Sequence, residues 1–214
     1  MSIDSEFSGT TGVVGVLRAS ELHVCNIGDS RLIIGNRVPA ASAAAAAPSL
    51  VPVEVTADHK PELPEERERI LAAGGRVFSV TYEDGEQGPA RVWLADVDIP
   101  GLAMSRSLGD TVAHTAGVTS EPEVHHVLLR ESQAYLVWAS DGLWEFLTNE
   151  EVLAYLEAAE KQAAGSAAAA DAADVLKSAV DKMITESSSR WVAKESVIDD
   201  ITVIVVQLDV PKAK

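Results

Sequence analysis

With 214 residues, 47% of them hydrophobic and 23% charged, the chain is long enough to bury a sizeable core without staples, and it suits one globular domain. Its 33 acidic and 17 basic residues give a formal net charge of −16, which excludes binding to nucleic acid or anionic membrane through clustered Lys and Arg and attracts divalent cations. No run approaches the ~20 consecutive apolar residues of a membrane-spanning helix. The opening MSIDSEFSGTT also lacks the basic-then-apolar order of a secretory signal, so a cytoplasmic or nuclear location is expected.

The runs GVVGVLR (12–18), ELHVCNIG (21–28) and RLIIGN (31–36) are short and β-branched. They are punctuated by Ala19-Ser20 and Gly28-Asp29-Ser30, and they read as strands joined by hairpin turns. Cys25, the one cysteine, excludes an internal disulfide, and its apolar setting predicts a small buried hydrophobe. The Ala-rich stretch 39–49 is flanked by prolines, which favours an insertion loop. PELPEERERILAAGG (61–75) predicts a helix with Pro64 near its start, acidic residues in its first turn and Gly74-Gly75 as its stop. Glu62, Glu65, Glu66, Glu68, Glu150 and Glu151 read most simply as solvated helix faces.

From Arg76 to Gly101 the spacing of Gly and Pro predicts irregular chain, with a turn at Glu83-Asp84-Gly85. Strands are predicted at VHHVLL (124–129) and AYLVWAS (134–140). Thr148 and Glu151 form a capping-box pair opening the helix TNEEVLAYLEAAEKQ, and a second helix is predicted from about Asp171 to Trp191. The closing run ITVIVVQL (201–208) has the continuous apolar character of a central strand buried on both faces. Strands, then helices, then a final strand predict an α+β sandwich in which helices cover packed sheets, within a single domain 1–214.

Several carboxylates share one setting, in which an apolar strand ends abruptly in an acidic turn. Asp29 ends NIGDSR, Asp141 ends YLVWASDG with Glu145 four residues on, and Asp199 and Asp200 precede ITVIVV. Carboxylates beside so much apolar sequence are costly to desolvate and need partners. A hard divalent cation would satisfy several together through oxygen ligands. Taken singly, each Asp is explained as well by a turn former bonding its own backbone.

Read in order, SGTTGVVGVL (8–17), NIGDSRLII (26–34), TADHKP (56–61), ERERILAAGGRV (66–77), RVWLADVDIPGLAMSRSLGD (91–110), SEPEV (120–124), YLVWASDGLWEFL (135–147) and DDITVIVV (199–206) resemble successive motifs of the type 2C metal-dependent protein serine/threonine phosphatases. The resemblance is collinear from Ser8 to Val206. It implies a β-sandwich flanked by helices in α-β-β-α layers, phosphoprotein substrates, and a Mg2+ or Mn2+ centre with two or three metal sites. Asp141 and Asp199 match the family's ligands to the metal pair, with Asp200 standing where the family has Asn. Asp29, Asp141 and Glu145 match a third, weaker site in which Asp is commoner at the last position. In this chemistry paired cations activate a water and neutralise the phosphoryl oxygens, so Cys25 is not needed as a nucleophile.

Segment 76–104 resembles the family's flap beside the active site. Arg106, in the SRxxGD-like run with Ser105 and Asp110, is a candidate for substrate phosphate, a structural salt bridge being the other reading. His59 and His114 read as local hydrogen-bonding residues rather than acid catalysts. The family pattern also includes a phosphate-gripping Arg and an Asp-Gly-His-Gly motif before the SGTT block, whose Asp bridges the metals. No DGH string occurs in the 214 residues. The expectation is therefore an N-terminally incomplete phosphatase domain with little activity alone, prone to associate through open sheet edges and apolar faces. Two other readings are a non-catalytic pseudophosphatase that binds regulatory partners and a calcium-binding structural module. The latter is weakened because the carboxylates match no EF-hand spacing.

Overall fold

The computed structural model describes residues 4–39, 49–82, 85–165, 171–195 and 197–210. In chain order its elements are β1 (Gly9–Thr10), β2 (Gly12–Arg18), β3 (Glu21–Ile27), β4 (Arg31–Val38), β5 (Ser49–Glu54), α1 (Pro64–Ala72), β6 (Arg76–Thr81), β7 (Gln87–Trp93), β8 (Pro100–Leu102), β9 (Leu108–Gly109), α2 (Thr111–His114), β10 (Glu123–Leu128), β11 (Gln133–Ala139), α3 (Asp141–Trp144), α4 (Asn149–Ala164), α5 (Ala172–Glu195) and β12 (Val203–Gln207). They divide between two compact units. The first comprises Met1–Gly15, Val24–Ser30 and Ala57–His125, and the second comprises Val16–His23, Arg31–Thr56 and His126–Lys214. The bounds fall inside β2, β3 and β10, which form a three-stranded sheet in the order β10-β3-β2. Most of the Ala-rich stretch, 40–48, lies outside the described residues, as do Glu83 and Asp84 of the expected turn.

In the second unit an antiparallel sheet runs β12-β11-β4-β5. Period-2 alternation sends Ile33, Tyr135, Val137 and Ala139 into a core shared with Leu143, Leu147, Val152, Leu153 and Leu156 and with Ala179 and Met183 of α5. Leu32, Ile34 and Leu136 occupy the opposite face and are equally buried. The capping box opens α4 as expected: the Thr148 hydroxyl accepts from the Glu151 N–H at 3.2 Å, and the Glu151 carboxylate accepts from the Thr148 N–H at 2.9 Å. Glu151 is also gripped by Arg190 of α5 at 2.7 and 3.1 Å, so it pins two helices together instead of merely facing solvent.

Two expectations for strands fail here. Among the described residues β12 is an edge strand, paired with β11 alone. Val203 and Val205 pack against the core, but Ile204 and Val206 are exposed, so the run is apolar on both faces while only one is covered. β5 carries no strand signal because Pro52 interrupts it. As the other edge of the sheet it tolerates a residue with no N–H to donate. Cys25 is exposed, not buried, because alternation along β3 turns Leu22, Val24 and Asn26 inward and Cys25 outward.

In the first unit, segment 76–102 is not irregular. β6, β7 and β8 form an antiparallel meander in which Phe78 stacks on Trp93 with centroids 5.0 Å apart. Register shifts between Ser79 and Thr81 and between Val92 and Trp93 break the alternation that would have announced these strands. Helix α1 places Ile70 against Val92, Ala113, Ala116 and Val118. Glu66, expected on a solvated face, is only 3% exposed. Its carboxylate accepts from Arg69 at 2.8 and 2.9 Å, from Arg106 at 2.7 Å and from Ser105 at 2.5 Å. Burial pushes this carboxyl up, but the bonds from Arg69, then Arg106 and Ser105, outweigh it and hold the group far below the ordinary carboxylate range. Replacing Glu66 by Ala would leave two guanidinium groups without their shared anion, and chemical denaturation is expected to show a loss of about 3–5 kcal/mol. A loss under about 1 kcal/mol would place the cluster with ordinary surface pairs.

Candidate metal centre

Ser140 and the two residues after it bring the acidic turns of the second unit together. The Ser140 N–H donates to the Thr202 carbonyl at 3.1 Å, and its hydroxyl donates to the Asp200 carbonyl and accepts from the Thr202 N–H, each at 3.0 Å. Asp141 then opens α3. Gly142 is required here, since a Cβ would lie 2.5 Å from the Asp200 carbonyl oxygen. Its own carbonyl accepts from Ser187 and from the Trp191 indole of α5, both at 2.7 Å, while the Trp144 indole donates to the Ala139 carbonyl at 2.9 Å. Hydroxyl, indole and backbone N–H groups thus fix the strand end.

Asp141 is half-buried, while Glu145, Asp199 and Asp200 are exposed. Glu145 lies one helical turn beyond Asp141, and its N–H donates to the Asp141 carbonyl at 2.8 Å. One Asp199 oxygen accepts from the Asp200 N–H at 2.7 Å, so the turn-forming role is real for this residue, and its second oxygen remains available as a ligand. Asp141, Glu145, Asp199 and Asp200 offer hard oxygen donors of the kind Mg2+ or Mn2+ takes, but no three of them bring ligand oxygens within 4.8 Å of one another.

Asp29 lies in the first unit and is 2% exposed. A partner is required for so buried a carboxylate, and Lys60 supplies one at 2.6 Å. The preceding Gly28 has φ +92° and donates its N–H to His59 Nδ1 at 3.0 Å, while its carbonyl accepts from the His59 N–H at 3.1 Å. His59 is therefore a local hydrogen-bonding residue, as is His114, whose Nε2 lies 3.1 Å from the Ser107 carbonyl. The Arg106 guanidinium is engaged by Glu66 and by the Glu121 carbonyl at 3.0 Å. Lys60 is the site neighbour that sequence reasoning passed over, although it stands next to His59 in ADHKP.

Burial is the main force lowering the His59 pKa, and Arg106 adds to it against the opposing pull of Glu66 and Glu123, whose oxygen is 3.3 Å from Nε2. The folded state thus favours neutral His59, whose Nδ1 is the acceptor for Gly28. That contribution is complete above the unfolded imidazole pKa of about 6.5 and is lost as pH falls below it. Lowering the pH from about 7.5 to 5.5 across that value is expected to lower the melting temperature of the wild type more than that of His59→Asn. Equal decreases would refute the coupling.

Comparison with known proteins places the chain closely. A family model described as protein phosphatase 2C matches residues 2–188. "Probable protein phosphatase 2C 72" of Arabidopsis thaliana is 36% identical over 201 residues, 92% of this chain and 54% of that protein. "Probable protein phosphatase 2C 64" of Oryza sativa is 36% identical over 211 residues, 97% of this chain and 44% of that protein. The chain therefore spans about half the length of these curated relatives. The crystal structure of a serine-threonine phosphatase 2C from Toxoplasma gondii shares the fold, with a TM-score of 0.73 at 23% identity, covering 94% of this chain and 59% of that one.

Proposed function

Because the chain belongs to the protein phosphatase 2C family, a family of metal-dependent hydrolases, we propose that it supplies the metal-binding turns of a phosphoserine/phosphothreonine phosphatase. The observation that carries this reading is the pinning of Asp141 beside Asp200 through Ser140 and Gly142. Asp141, Asp199 and Asp200, with Glu145 one turn further, would hold Mg2+ or Mn2+. Asp29 is assigned a ligand role on the family pattern alone. When bound, such cations supply an activated water and charge neutralisation at phosphorus. Ser140 and Gly142 orient the carboxylates, and the Ser187 and Trp191 contacts keep that turn from relaxing. Arg106, tied to Glu66, acts on substrate only if it exchanges partners, so its principal role is to brace the first unit.

The bridging Asp of the family pattern is not among these 214 residues, so we assign them weak hydrolysis on their own. Asp141→Asn should weaken Mn2+ binding at least about tenfold, beyond the effect of losing a ligand's outer partner, in a calorimetric titration. Unchanged affinity would remove Asp141 from the metal set. The pure chain should release phosphate from a phosphopeptide only slowly with Mg2+ or Mn2+, and robust turnover would refute the need for the bridging carboxylate. Val14, Val16, Leu17, Val124 and Leu128 are exposed on β2 and β10. We assign them to association between chains, expected as concentration-dependent sedimentation and contradicted by a monomer at every concentration.

A further inference from the structure

The outward side of β3 carries a group that the phosphatase chemistry does not use. Alternation turns Leu22 inward and Glu21 and His23 outward, and β10, the neighbour of β3 in its sheet, presents His126 beside them. The His23 and His126 rings stack with centroids 4.5 Å apart and planes 15° apart. Glu21 Oε2 lies 3.9 Å from His23 Nε2. One ligand atom from each of the three side chains lies within 4.8 Å of the other two, the one such group of three His, Cys, Asp or Glu side chains among the described residues. All three belong to the second unit.

The geometry points to a binding site for a borderline-soft divalent cation, with Zn2+ as the reference probe, ligated by Glu21, His23 and His126 and open to water at its remaining position. Two imidazoles and one carboxylate are the donor set of open zinc sites. They differ in kind from Asp141, Asp199, Asp200 and Glu145, an all-oxygen set suited to Mg2+ or Mn2+. Zn–N bonds of about 2.0–2.1 Å bring ligand atoms on one ion to roughly 3.4 Å apart, so the three must draw in by about 1 Å. Stacked rings cannot both aim their nitrogens in-plane at one ion, so binding requires at least one ring to rotate out of the stack. All three residues are exposed, which leaves the rings room to turn. The strands supply the preorganisation: residues at i and i+2 share a face of β3, and the facing position on β10 completes the triangle. A bound ion would tie the two strands together.

The test is calorimetric titration of the 214-residue chain with ZnCl2 in excess Mg2+, which occupies hard oxygen sites. One Zn2+ is expected to bind the wild type, and Asp141→Asn should bind it equally well. His126→Asn and Glu21→Gln should each bind at least about tenfold more weakly. In the same samples, Zn2+ should shift the imidazole resonances of His23 and His126 and leave those of His59 and His114 in place. It should also raise the melting temperature of the wild type but not that of His126→Asn. Absence of Zn2+ uptake in excess Mg2+, or undiminished affinity in both ligand variants, overturns the assignment. Loss of Zn2+ binding in Asp141→Asn would move the ion to the phosphatase centre and overturn it equally.

Discussion

The end of the β11–β12 ladder is the constraint on which the proposed centre depends. β11 delivers Asp141 at the point where its buried run stops, and β12 begins just after Asp199 and Asp200. Ser140 locks the two ends with its N–H and its hydroxyl, so the acidic turns cannot part without opening three hydrogen bonds. Because Gly142 lets the Asp200 carbonyl approach to a distance no other residue would allow, the contact is backbone on backbone and does not use the carboxylates. The arrangement is made by the fold and not by any attraction among the acids, which repel one another.

Much of this was legible in the residues, for a physical reason. Strand-end acids, glycine turns and capping boxes are local signals, and β2, β3, β4, β11 and α4 fall within a residue or two of their predicted bounds because alternation and caps act over a few residues. What was not legible depends on partners distant in the chain. The helix pattern gave no sign that Glu66 turns toward Ser105 and Arg106, some 40 positions away. The closing strand's apolar run carried no information about which face would be covered, and Cys25 shows the same ambiguity: a hydrophobic neighbourhood in sequence need not be one in space. Segment 76–102 hid its strands behind register shifts that disrupt period two.

Two groups of acids in this chain differ in their pairing. Glu66, Glu151, Glu160 and Asp29 are each held by Arg or Lys within 2.9 Å, and three of them also touch helices or strands that they fasten together. Burial costs these groups desolvation, which the paired cation offsets; for Glu66, Glu151 and Glu160 the role is structural, while Asp29 joins its Lys60 pair to the ligand role proposed for it. Glu145, Asp199 and Asp200 make no ion pair among the described residues and are exposed. Nothing in the packing of the core accounts for acids gathered at one strand end.

An excess of 16 formal negative charges makes that gathering more telling. With too few basic residues to pair every acid, buried Glu66 and Asp29 are each held by Arg or Lys, while the exposed Glu145, Asp199 and Asp200 are left to solvent and mobile cations. A divalent ion bound by carboxylates of the folded chain would lower the energy of that state relative to the unfolded one. The same reasoning separates the two sites on the second unit. An all-oxygen set such as the proposed Asp141, Asp199 and Asp200 would gain most from a hard ion that neutralises charge, whereas Glu21, His23 and His126 would gain mainly from the directional bonds that imidazole makes to a softer one. The two proposed sites would therefore draw on separate ligands of the second unit.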